Sequence, residues 1–92
     1  MARSFGVRFI EEFRRAGGST DKWPSDAITA LASADRRRFI DVLSKVSSAS
    51  AKTLVIAAHT AEPETLARRA VTLTAREAAD DDSWLLMLAA FS

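Results

Sequence analysis

The sequence has no cysteine in 92 residues. That single absence excludes disulfides, zinc knuckles, iron–sulfur sites, thiol nucleophiles and thioether attachment of a haem or chromophore. Histidine occurs once, at His59, with no second histidine or cysteine to complete a metal site. Long hydrophobic runs are missing too, since no stretch approaches the roughly 20 apolar residues that span a bilayer. The first residues, Met1-Ala2-Arg3-Ser4-Phe5-Gly6, lead into charges within ten positions and lack the apolar core of a signal peptide. No lipidation motif stands at either end. These features predict a soluble, cytoplasmic chain without a membrane partner.

An excess of one charge is also lacking. Thirteen basic and twelve acidic residues leave a net charge of +1, which signals neither a nucleic acid nor a membrane surface as partner. The distribution is less even, because residues 1–70 carry 12 basic and 8 acidic side chains, whereas residues 71–92 carry one arginine and four acids. Ten of the thirteen basic residues are arginine, the side chain suited to bidentate contacts with carboxylate or phosphate.

What is abundant is alanine. Of 44 hydrophobic residues 18 are alanine, so 26 large apolar side chains remain to build a core. Ordering a chain costs roughly 1.5 kcal/mol per residue, and a single domain of this size buries only about 60–65% of its unfolded surface. Nearly every large apolar residue must therefore be enclosed, by the chain itself or by a partner.

The pattern along the chain is helical throughout. Phe5, Phe9 and Phe13 recur every four residues with Ile10 beside them, and Arg8, Glu11, Glu12 and Arg15 fall opposite, predicting an amphipathic helix over 4–16. Glu11 and Arg15 have the favoured acid-first spacing for an ion pair, and Gly17-Gly18 supplies the stop. Residues 19–25 read as a polar loop anchored by Trp23. Helices follow over 24–33, burying Ile28 and Leu31, and over 35–47, with Phe39, Ile40, Leu43 and Val46 on the inner face.

Leu54, Val55 and Ile56 lie in a continuous apolar segment that periodicity cannot assign. No second strand exists to pair with it, so a helix is expected over 51–61, with His59 as a hydrogen-bonded core residue. Pro63 opens a further helix over 63–79, where Leu66, Ala70, Leu73 and Ala78 form the apolar stripe and Arg68, Arg69, Thr72 and Arg76 lie opposite. Asp80-Asp81-Asp82-Ser83 suits a helix N-terminus, and 83–91 is apolar on every side. The expected fold is all-α, a single domain built as a small irregular bundle of five or six short helices.

Two features attract a functional reading. Trp84, Leu85, Met87, Leu88 and Phe91 form an all-round apolar segment that must be covered, either as core or by a protein partner or second copy of the chain. Arg36, Arg37 and Arg38 open a helix, where the macrodipole disfavours cations by roughly 0.3–1 kcal/mol each. They could pair with Asp80, Asp81 and Asp82, stand in solvent, or join Arg68 and Arg69 in a basic patch for phosphate or an acidic protein surface.

A helix-turn-helix laid over 25–44 puts Ile28, Ala32, Ala34, Phe39 and Val42 at its buried positions. Ser33, however, replaces the usual turn glycine, and Asp35 and Asp41 would face a polyanion. The stretch from Asp26 to Pro63 resembles the early helices of phycobiliproteins in its Arg-rich start, Ser-Ala-Ser bend and Ala-Ala segment ending in Glu-Pro. The resemblance covers under half the chain, and without a cysteine it implies a helical structural protein lacking a covalent chromophore.

No glycine-rich phosphate loop, nucleophile elbow or carboxylate pair in a recognisable motif occurs, and Glu77 with Asp80–Asp82 lacks the spacing of a calcium loop. The expectation is a non-enzymatic protein-binding module, an adaptor, inhibitor or regulatory subunit, without metal or cofactor. A nucleic-acid-binding regulator is the alternative.

Overall fold

The computed structural model describes residues 3–21, 23–45 and 49–77. Within them the chain forms five helices and no strand: α1 (Phe5–Arg15), α2 (Ser25–Ala32), α3 (Arg36–Ser44), α4 (Ala49–Ala58) and α5 (Pro63–Glu77). The all-α expectation holds. The expected helix over 83–91 lies outside the described residues, as do Val46, Ala78 and Ala79.

α1 is the central element because its phenylalanines all point inward. Phe9 is fully buried, with Phe5, Ile10 and Phe13 nearly so. Phe39 from α3 meets both Phe5 and Phe9 with tilted rings, centroids 5.2 and 4.9 Å apart. Phe13 extends the stack to Trp23 at 5.1 Å, so the indole does anchor the loop between α1 and α2. Tilted and offset aromatic pairs of this kind contribute about 0.5–1.5 kcal/mol beyond the area they bury. Leu31, Val42, Leu43, Leu54 and Leu66 complete the core around them. The alanines fill it where helices approach closely, with Ala27, Ala58, Ala67 and Ala70 fully enclosed.

Caps follow the local sequence. Ser4 Oγ accepts a hydrogen bond from the Val7 N–H at 3.2 Å, and Asp35 Oδ1 accepts one from Arg38 N–H at 2.8 Å, so each satisfies an orphan donor at the start of a helix. α1 ends in a Schellman motif: Gly18 N–H donates to Phe13 O at 2.8 Å and Gly17 N–H to Arg14 O at 3.1 Å. Gly17 sits at φ 101°, a conformation that side chains with a Cβ disfavour.

The start of α1 docks on the end of α2. Ser4 Oγ also donates to Ala32 O, and Gly6 N–H donates to Ala34 O at 2.9 Å. A Cβ at Gly6 would lie 1.6 Å from Leu31 O. The contact thus needs glycine, and it gives the orphan Gly6 N–H of the first turn of α1 an acceptor just beyond the end of α2.

α1 and α5 pack side by side. Arg8 binds Glu64 and Arg68 binds Glu12, both across 56 positions, so the two helices run in the same direction. α3 packs on α4, and α4 on α5. One end of the bundle consequently gathers the N-termini of α1, α3 and α5 with the C-termini of α2 and α4. Donors and acceptors left open by five short helices meet there.

Several expectations about faces need correction. Glu12 is not on the solvent side of α1; it is buried, between Arg15 at 3.2 Å and Arg68 at 3.1 Å. Arg15 therefore pairs with Glu12 rather than Glu11, whose partner is Arg3. Ile56 is 75% exposed on α4. His59 is exposed in the turn after α4, not in the core, because α4 ends at Ala58, short of the expected 61.

Candidate functional site

The expected interaction residues divide into two groups. Trp84, Leu85, Met87, Leu88 and Phe91 lie outside the described residues, and so do Asp80, Asp81 and Asp82. The five arginines of the expected basic patch are described, and they do not form one patch.

Arg36 is the clearest departure. Its guanidinium nitrogen donates to Ala58 O at 2.7 Å and Ala61 O at 2.6 Å. The same group lies 4.9 Å from the centre of the Phe5 ring. Arg36 opens α3 but serves the C-terminus of α4, where carbonyls lack partners and the macrodipole favours a cation. That explains why an arginine stands at a helix start that disfavours it locally. It is an internal cap and not part of a free basic surface.

Arg68 is engaged as well, through Glu12. Arg38 lies 3.6 Å from Asp41, and Lys45 lies 3.5 Å from the same carboxylate. The side chains of Arg37 and Arg69 are exposed and have no hydrogen-bond or ion-pair partner among the described residues. Arg69 is on α5 and Arg37 on α3, so the two belong to different elements.

Arg8, not singled out by any motif, makes the densest ion-pair cluster. It binds Glu64 through two nitrogens, at 2.8 and 2.9 Å, and reaches Glu62 at 2.9 Å. This bidentate fork matches the planar carboxylate. Hydrogen bonding to Glu64 first, and to Glu62 second, raises the Arg8 pKa. The hydrogen bond from Arg8 holds the Glu64 carboxyl below its ordinary 4.5, against an opposing desolvation effect. The cluster ties α1 to the start of α5 and is structural in kind. Its sequence signal was weak because the partners are 54 and 56 positions apart.

Among the described residues the outer side of α3 is open. Two adjoining shallow hollows share Asp35, Arg37 and Ile40. One is completed by Arg36 and His59, the other by Arg38, Asp41 and Ser44. Ile40 was expected to join Phe39, Leu43 and Val46 inside; it is only half-buried and forms the apolar part of this surface. The reason is angular, since the inner face of a nine-residue helix is already filled by Phe39, Val42 and Leu43. Ile40 and His59 are the residues of this surface that sequence pattern placed wrongly. Only the packing of α3 on α4 brings them together.

Asp35 is occupied as the α3 cap, so among the described residues Arg37 is the charge beside Ile40 without an ion-pair partner. Among the described residues the arrangement offers one guanidinium without an ion-pair partner, an apolar wall and a neighbouring imidazole. Such a surface can hold an acidic or amphipathic segment by ion pairing and burial.

The helix-turn-helix register has Ala34, Phe39 and Val42 buried, with Ile28 and Ala32 half-buried. α2 packs on α1 and makes little contact with α3. Asp35 and Asp41 share the outer side of α3 with Arg37 and Arg38. Among the described residues no group of three His, Cys, Asp or Glu side chains is placed to hold a metal ion, and no helix is long and apolar enough to cross a membrane.

No family model matches the chain. No curated protein and no solved structure matches it either. None of these comparisons supports the likeness of residues 26–63 to phycobiliproteins.

Proposed function

We propose that this chain is a small non-enzymatic protein-binding module, an adaptor, inhibitor or regulatory subunit. It acts through the outer side of α3 together with the apolar run from Trp84 to Phe91. The observation that carries the reading is exposed Arg37, without an ion-pair partner among the described residues, beside half-buried Ile40. Most other arginines are committed to internal partners. The run from Trp84 to Phe91 adds six large apolar residues within eight positions, a composition suited to the centre of an interface.

The test uses the full-length chain, the double variant Arg37→Glu/Arg38→Glu, and a chain ending at Ser83. Arg36 is left in place, because its replacement would remove the α4 cap and confuse loss of fold with loss of binding. Each protein is used as bait in extracts of its native host, with fold checked by circular dichroism and bound proteins identified by mass spectrometry. A protein retained by the full-length chain and lost from both folded variants supports the reading. Retention of the same proteins by all three overturns it. A salt-dependent shift of duplex DNA that disappears in the double variant would replace it with nucleic-acid binding.

A further inference from the structure

We draw no further inference here: the strongest candidate, the exposed patch on α4 around Ile56, is a single apolar side chain, and nothing among the described residues shows what covers it.

Discussion

The guanidinium of Arg36, at the first position of α3, closes the C-terminal carbonyl of Ala58 at 2.7 Å while lying over the ring of Phe5. One side chain thereby links three helices. Hydrogen bonds from a charged donor contribute about 1.5–3 kcal/mol, so Arg36→Ala should destabilise the fold by about that amount in urea denaturation. Arg36→Lys should recover only part of it, because an ammonium lacks the flat face that lies over the Phe5 ring. Equal stability of both variants and the parent would remove Arg36 from the cap.

Gly6 and Leu31 touch through backbone alone. A methyl group at Gly6 would overlap Leu31 O, and the helix could accommodate it only by moving off α2. Gly6→Ala should therefore cost about 1–3 kcal/mol, the usual range for overpacking, although alanine is the better helix former by roughly 1 kcal/mol. A stabilised Gly6→Ala variant would contradict the docking of α1 on α2.

Phe9 is fully buried between Phe13 and Phe39. Phe9→Ala should cost about 3–5 kcal/mol, a large share of the roughly 5–15 kcal/mol available to a native domain. The variant is expected to be largely unfolded, or to lose most of its urea midpoint. Ile56→Ala, at an exposed position, should change stability by no more than about 0.5 kcal/mol.

Glu64 sets a dependence on acid. Its pKa is lower in the folded chain than the ordinary 4.5, so folding favours the ionised form. The resulting stabilisation is fully present above the unfolded value. It is lost as pH falls below 4.5 through the folded value. Urea midpoints measured from pH 6 downward should fall less steeply below 4.5 in Glu64→Gln than in the parent. The parent should be the more stable of the two at pH 6. Identical acid limbs would show that the Arg8 pair contributes nothing.

Arg37→Glu/Arg38→Glu should leave the fold intact. Arg37 has no partner among the described residues, and the Arg38–Asp41 pair at 3.6 Å is of the exposed kind worth about 0–1 kcal/mol. Acids near the start of α3 also suit its macrodipole, offsetting repulsion from Asp41. A thermal midpoint within a few degrees of the parent is expected, whereas global unfolding would show that these arginines are structural too.

The sequence by itself determined that the fold is helical, where α1 and α5 begin, which phenylalanines face inward, and how Asp35 and Gly17-Gly18 punctuate the chain. Those are local matters, set by periodicity, caps and backbone freedom within a few residues. It misplaced Glu12, Ile40 and His59, because a helix's polar and apolar sides are legible while the positions of its neighbours are not. The tightly packed glycine had one trace, since a glycine inside a helical pattern carries a cost that a close backbone approach can justify. Only the tertiary structure decided that Arg36 is a cap, that Arg8 and Arg68 hold carboxylates 56 positions away, and that Arg37 has no such partner among the described residues. Ten arginines look alike along the chain. Which of them is free to meet a partner depends on the orphan carbonyls and carboxylates that packing brings within reach of the rest.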